Sequence, residues 1–421
     1  MPSARSGIEG SSDIIVRMNQ PAGPSKSRAA VRMNIPITRP FIGREELEAV
    51  QRPLESGWLV QGPYVKEFEE KFGRFIGAPY ALATTSCTTA LHLAVAALGL
   101  RPGDEVIVPA FTWVSTANVI EHMGATAVFV DIDLATFNLD VTRLEAAVTA
   151  KTVGIVPVHL FGLAADMDPI NAIARRHGLW VVEDAACAFG AWYGGRHVGT
   201  LGDLGCFSFH PRKSITTGEG GMVTTTRDDL AETVRSLRDH GASRSDLQRH
   251  ANAGGYLLAD YDLLGYNYRM TDLQGAVGSV QMDRAAWVLG ERRRCAEAYD
   301  RLLADIDWLA LPLTPEGSVH GYQSYVCLFR PEEPDLEAAD RLHDARNRMM
   351  ATLEAEGIAT RQGTHAPYIQ GYYAKKYAIA PSELPAAYLA DRLSVSLPMY
   401  PGMTEEELEY VATHLRAAVD A

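Results

Sequence analysis

The chain is short of cysteine, and the cysteines it has are not arranged to bind anything. Its five, Cys87, Cys187, Cys206, Cys295 and Cys327, are odd in number, widely spread and without CxxC spacing. That pattern argues against a disulfide framework and against a zinc or other metal site, and points to a reducing compartment. Long apolar runs are missing as well. No stretch reaches the length of a membrane helix, and the N-terminus lacks the apolar core of a secretory signal, so the expectation is a soluble, cytoplasmic protein with no membrane partner. Basic residues are not in excess: 39 Lys and Arg stand against 52 Asp and Glu, a formal net charge of -13. A nucleic-acid surface needs the opposite balance. A small anionic ligand needs only local help from helix N-termini, backbone amides and one or two cations.

What is present suits a two-domain enzyme. A chain of 421 residues with 47% hydrophobic content can bury a large core and exceeds the usual single domain. Residues 1–32, rich in Ser, Pro, Gly, Ala and Arg, are expected to be a disordered leader, with the functional start near Met33. The remainder is expected to divide into a large domain, 33–285, and a small C-terminal domain, 286–421. Between about 80 and 226 apolar strands (EVIVPA, ATAVFVDI, VGIVPVHLF, LWVVEDA, GCFSFH, GMVTTT) alternate with amphipathic helices such as 88–98, 166–177 and 228–240. This is the pattern of an α/β fold with a mostly parallel sheet sandwiched by helices. From Thr271 one long helical period should link the domains, and shorter strands and helices beyond about 310 suggest an α+β unit.

Two segments carry chemistry. The run SFHPRKSITTGEGG places Lys213 in a Gly-terminated loop between two strands, and Glu183-Asp184 ends an apolar strand. A lysine amine can form a Schiff base with an aldehyde cofactor, and a carboxylate can keep a pyridine nitrogen protonated, so Lys213 and Asp184 together point to pyridoxal 5'-phosphate (PLP). Taken alone, either is as well read as a solvated or structural residue. The segment TTSCTTALHLAVAAL runs from hydroxylic residues into a helix that Ser86 or Thr88 can cap, and its first-turn amides would favour a phosphate; an ordinary capped helix reads the same way. Trp113, just past a strand end, could lie against a pyridine ring or sit in the core. Ser208 could add a hydroxyl to the phosphate or be a small strand residue.

Assembled in order, SGWLVQGPYVKEFEEKF, SCTTALHLA, GDEVIVPAFTWVSTAN, PVHLFG, VVEDAACAFGA, SFHPRKSITTGEGGMV, GYNYRMTDLQGAVG, GIATRQGTHAP and SLPMYPGMTEEE make the chain resemble the DegT/DnrJ/StrS family of PLP-dependent sugar aminotransferases. The likeness runs from Ile35 nearly to the C-terminus. It implies the aspartate aminotransferase-like fold (fold type I) and a homodimer with active sites shared between subunits. Lys213 would be the Schiff-base lysine, Asp184 the pyridinium partner, Trp113 the stacking residue, and Ser86, Cys87, Thr88 and Ser208 the phosphate cradle. Asn267 would reach the phosphate of the neighbouring subunit. The chain departs from the commoner pattern at Cys87 and at Cys187, which stands where many relatives carry a glutamine that bonds the cofactor's phenolic oxygen. A thiol is the weaker donor there, and Cys187 is equally well read as a small packed residue.

The resemblance further implies amino transfer from an amino acid, glutamate in relatives, to a nucleotide-diphosphate keto sugar. The His210-Pro211-Arg212 version of the lysine loop looks more like that branch than the keto-cyclitol branch, which stays open as an alternative. Relatives that dehydrate deoxysugars carry histidine at the lysine position, so Lys213 favours transamination. A non-catalytic regulatory protein of the same fold should have lost Lys213 or Asp184, and both are present. His159, His210, Tyr325, Arg361 and His365 are candidates for sugar, carboxylate or diphosphate contacts, or for structural hydrogen bonds; a guanidinium at Arg361 can grip an anion with two prongs.

Overall fold

Apolar runs bounded by Gly, Pro and Asp form a twisted sheet whose carboxyl ends open onto one cavity. The structure, a computed structural model, describes residues 32–243 and 259–418. The expected leader therefore lies, but for Arg32, outside the described residues. In chain order the strands are β1 (Tyr80–Thr84), β2 (Glu105–Pro109), β3 (Thr126–Val130), β4 (Thr152–Ile155), β5 (Trp180–Asp184), the short β6 (Trp192–Tyr193) and β7 (Arg196–His197), β8 (Leu204–Ser208) and β9 (Gly221–Thr225). Seven of them make the main sheet in the order β1-β9-β8-β5-β4-β2-β3. The pairs from β8 through β5, β4 and β2 to β3 are parallel, and β9 runs against both neighbours. This is the mostly parallel α/β sheet expected from the alternation of strands and helices.

The parallel strands are buried on both faces, which is why they read as unbroken apolar runs. Val106, Ile107 and Val108 of β2 are wholly buried, and residues from β2, β5, β8 and β9 share one core cluster with the helix Cys87–Ala97. The last strands are β10 (Leu309–Ala310), β11 (Ser318–Val319), β12 (Tyr325–Phe329) and β13 (Ser394–Leu397); β12 is central in a small antiparallel sheet with β10 and β13. A second apolar cluster gathers there, joining Ile35 to residues between Cys295 and Ala418. The described residues from Met33 onward nevertheless pack as one compact unit.

Two features differ from the sequence expectation. The helical period from Thr271 breaks at Arg284, where φ -101 and ψ -1 separate Asp272–Asp283 from Ala285–Leu302. The helices Gly371–Tyr377 and Pro385–Leu393, of 7 and 9 residues, are too short to announce themselves by period. The second docks through Asp131, which accepts from the amides of Ala386 and Ala387 at 3.1 and 2.8 Å, and the first through Tyr373, whose hydroxyl donates to Asn118 Oδ1 at 2.6 Å.

The end of β5 is anchored by a buried carboxylate. Glu183, with no exposed surface, accepts from the amides of Gly199, Leu201 and Gly202 at 2.6–2.7 Å and from His159 Nε2 at 2.8 Å. Because His159 Nδ1 accepts from the Ala165 amide at 3.0 Å, the ring proton sits on Nε2 and donates to Glu183. Burial works to raise the Glu183 pKa, but the His159 bond and the backbone amides outweigh it and hold the carboxyl below its ordinary value. A group shifted this way adds stability above the unfolded pKa of about 4.3 and loses it as pH falls through the lower folded value. Glu183→Ala is expected to cost about 3–5 kcal/mol in urea unfolding at pH 7, because three amides and an imidazole lose their partner. The gap between the two proteins should narrow below pH ~4.

Candidate active site

Side chains on a strand alternate faces, so Asp184, next to Glu183, turns the other way and enters a cavity of about 600 Å³. Asp184 is 4% exposed; its Oδ2 accepts from Thr116 Oγ1 at 2.7 Å and its Oδ1 from the Ala186 amide at 3.1 Å. Burial pushes the Asp184 carboxyl up, and the Thr116 and Ala186 bonds and the charge of Lys213 offset part of that, leaving it above its ordinary value.

Lys213 reaches the same cavity from the connection between β8 and β9. Those strands are hydrogen-bonded up to their ends, Ser208 facing Gly221, and the Phe209 amide continues the pairing to Gly220 O at 2.9 Å. The loop is therefore held at both feet, and the Lys213 amide closes a turn on His210 O at 2.8 Å. Lys213 Nζ donates to Cys187 Sγ at 3.1 Å. Burial draws the Lys213 pKa down, while Cys187 and Asp184 push it up and prevail. Burial pushes the Cys87 and Cys206 thiols well up, so both stay protonated.

A third wall is the start of the helix Cys87–Ala97. Ser86 is its cap, accepting from the Thr89 amide at 3.2 Å, while Thr88 Oγ1 donates to Ser115 at 2.9 Å. The amides of Cys87 and Thr88, at the first two helical positions, have no backbone acceptor among the described residues and face an axis whose positive end lies here. Gly221 lets the sheet edge approach this turn, since a Cβ there would stand 2.3 Å from Ser86 O.

The chain matches a known family over nearly its whole length. Residues 40–416 fit the DegT/DnrJ/EryC1/StrS aminotransferase family. The chain belongs to that family. It is 39% identical over 386 residues, 91% of this chain and 97% of the relative, to the spore coat polysaccharide biosynthesis protein SpsC of Bacillus subtilis. Among solved structures it resembles the PLP form of Spr1654 from Streptococcus pneumoniae (TM-score 0.84, 30% identity, 92% of this chain and 99% of that one). It also resembles PseC of Helicobacter pylori, an aminotransferase involved in pseudoaminic acid biosynthesis (TM-score 0.84, 26% identity, 92% and 100%). The fold is that of the PLP-dependent type I enzymes, and the protein is a transaminase.

The aminotransferase brings most of the residues singled out from sequence to one place. Ser86, Cys87, Thr88, Trp113, Asp184, Cys187, Ser208 and Lys213 all line the cavity, as do His210, Arg361 and His365. Trp113 is no core residue: it is 58% exposed, with its ring 6.2 Å from that of His365. Arg361 is held by backbone pairing with Ser396 and has no carboxylate in ion-pair range among the described residues. His210, half-buried, is pushed below its usual pKa by burial and by Arg212 and Lys213.

Two expectations need correction. His159 is wholly buried with both ring nitrogens engaged, and it belongs to the Glu183 anchor rather than to the cavity. Tyr325 is also fully buried, and its hydroxyl donates to Asp300 Oδ1 at 2.6 Å inside the second core cluster. Asn267 is exposed, lies in sequence between Tyr266 and Tyr268, whose rings stack on each other, and does not line this chain's cavity. Sequence reasoning missed Glu219, Gln323 and Gln362 in the lining. Glu219 sits in the TTGEGG run as a possible signal, whereas nothing local marks the two glutamines.

The raised Asp184 pKa has a consequence for stability. With a folded value above the unfolded one, the carboxyl favours the fold when protonated, below the unfolded pKa, and that contribution is lost as pH rises through the folded value. The neutral variant Asp184→Asn should therefore melt higher than the parent near pH 7 when both are free of cofactor. The difference should shrink toward pH ~4. Thermal unfolding of the cofactor-free proteins across pH checks the sign.

Proposed function

We propose that this transaminase moves an amino group from an amino acid, glutamate, to a nucleotide-diphosphate-linked keto sugar, with PLP as cofactor. The observation that carries the reading is the convergence of Lys213 Nζ and the buried Asp184 carboxylate in one cavity whose far end is a capped helix N-terminus. The donor set fits PLP. The free amides of Cys87 and Thr88, with the Ser86 and Ser208 hydroxyls, suit a phosphate; Trp113 offers an exposed indole face; and Asp184 suits a pyridinium. When bound there, the cofactor supplies an aldehyde to carry the amine and a ring that draws electrons from the donor's α carbon.

The protein's own residues do the rest. Lys213 Nζ is the base for the donor's α proton, and in the return half it delivers a proton to the acceptor carbon that was a carbonyl. Asp184, fixed by Thr116 and the Ala186 amide, would hold a proton on the pyridine nitrogen of a bound cofactor, and burial makes its carboxylate act more strongly there. Cys187 Sγ orients the lysine amine. Arg361, Arg212, His210 and His365 place cationic or hydrogen-bonding groups in the cavity, which suits a donor carboxylate and a diphosphate better than a neutral cyclitol.

The active unit in this reading is a homodimer. Asn267 is exposed and does not line its own cavity, and beside it Tyr261, Leu263 and Leu264 are exposed, Leu264 by 93%. Leu47 and Leu54 leave a further apolar stripe on the helix Arg44–Ser56. Such a surface is unusual for a monomer, and Asn267 from one subunit would complete the phosphate site of the other. The five cysteines are unpaired, four of them buried, which suits the cytoplasm.

The decisive test is acceptor class. The protein, charged with amine by excess glutamate and freed of it, is mixed with a panel of nucleotide-linked keto sugars and keto-cyclitols while the visible absorption of the cofactor is followed. A nucleotide sugar should restore the band at least about 100-fold faster than any cyclitol. Faster recovery with a cyclitol would assign the other branch, and failure of glutamate to charge the protein at all would contradict amino transfer from glutamate.

A further inference from the structure

One wall of the cavity is built under strain and held by a buried cation. Leu160 and Phe161 on one side and Gln323 and Ser324 on the other line the cavity together. Phe161 (φ 57) and Tyr322 (φ 45) are both left-handed, a conformation that is strained for a residue with a side chain and persists only where surroundings impose it. The two loops are bonded to each other, the Gly321 amide to Gly162 O at 2.8 Å and the Ser324 amide to Phe161 O at 3.3 Å. They approach so closely that a Cβ on Gly162, itself at φ 109, would stand 2.7 Å from the Tyr322 amide nitrogen. His320 Nδ1 accepts from that amide at 2.8 Å, and its ring stacks on Tyr322 at 4.0 Å.

Arg292, on the helix Ala285–Leu302, reaches this wall from behind. It is 1% exposed, and among the described residues no carboxylate lies in ion-pair range of it. Its guanidinium spends its polar contacts on two carbonyls instead, Tyr322 O at 3.2 Å and Gln323 O at 2.9 Å, while Nε has no partner. Burial depresses its pKa to about 10, which leaves it charged at neutral pH. A buried unpaired cation is costly, and an apolar side chain of similar volume would fill the space more cheaply. What the guanidinium does that a methionine could not is fix the direction of two peptide carbonyls.

Gln323 passes that order on. Its side-chain Nε2 donates to Arg212 O at 2.9 Å, the carbonyl of the peptide that leads into Lys213. Arg292, Gln323 and the Arg212–Lys213 peptide are therefore in direct series, from a helix of one core cluster to the lysine loop of the main sheet. We infer that Arg292 is a positioning residue, acting through Gln323 to hold the Lys213 peptide so that Nζ meets its substrate at working distance. The inference deepens the assignment of Lys213 as the proton carrier and rests on it.

The experiment compares the PLP-loaded parent with Gln323→Ala, Arg292→Met, Arg292→Lys and the double variant Gln323→Ala/Arg292→Met. Four readouts are taken: PLP occupancy, melting temperature, the pH midpoint of the visible absorption, and kcat and KM for the glutamate half-reaction. Gln323 is half-buried and its side chain makes one bond, so Gln323→Ala should fold, bind PLP and melt within about 2 °C of the parent. It should lower kcat about tenfold while changing KM less than about twofold, and it should move the absorption midpoint. Arg292→Met should do the same, Arg292→Lys should recover part of the loss, and the double variant should be no worse than Arg292→Met alone. The inference is overturned if Gln323→Ala matches the parent in kcat and in the absorption midpoint, or if the two losses multiply in the double variant. Should Arg292→Met fail to fold, Gln323→Ala decides alone. A parent chain that takes up no PLP would overturn the assignment of the lysine itself, a result distinct from any difference among variants.

Discussion

Adjacent residues on a strand face opposite ways, and at the end of β5 that constraint separates two carboxylates into two tasks. Glu183 turns toward the loop of Gly199, Leu201 and Gly202, where amides and His159 satisfy its charge with hydrogen bonds. Asp184 turns into the cavity, where only Thr116 and one amide meet it and burial holds its pKa up. The first carboxylate secures the strand end; the second is kept under-satisfied, which in the proposed function suits it to a cationic ring. A one-residue slip of β5 would exchange the two and destroy both functions.

The same logic places the lysine. Strands β8 and β9 are neighbours in the sheet, so the loop between them cannot stray, and Lys213 emerges beside the strand that carries Asp184. The end proposed for a phosphate is the start of the helix that follows β1, brought close because Gly221 has no side chain to collide with Ser86. Three contributions from separate parts of the chain thus meet at the carboxyl ends of the strands, where open α/β sheets gather their ligands.

Much of this is legible in the amino-acid sequence. Asp184 lies at the end of a strand with a clear apolar pattern and Lys213 in the short loop beyond another, and the helix from Cys87 carries its cap in the residue just ahead of it. Less legible are residues whose meaning lies in distant partners. His159, just past a strand, reads as a cavity residue, and only the Glu183 and Ala165 bonds show that it is structural. Tyr325 lies on the inward face of β12 and answers to Asp300 on a helix. Gln323 has no local signature, because its place depends on Arg292 and on the carbonyl of Arg212, neither of which is near it in the chain. The helical period across Arg284 runs on unbroken in sequence, while the backbone turns there.

The account as a whole stands on the assignment of one amine, Lys213 Nζ, as the group that carries the cofactor and the proton. The most direct measurement is to load the purified protein with PLP, reduce it with borohydride and map the modified peptide by mass spectrometry. The expected result is one labelled peptide containing Lys213 and no label in Lys213→Ala. Label on a peptide that excludes Lys213, or none at all, would contradict the account.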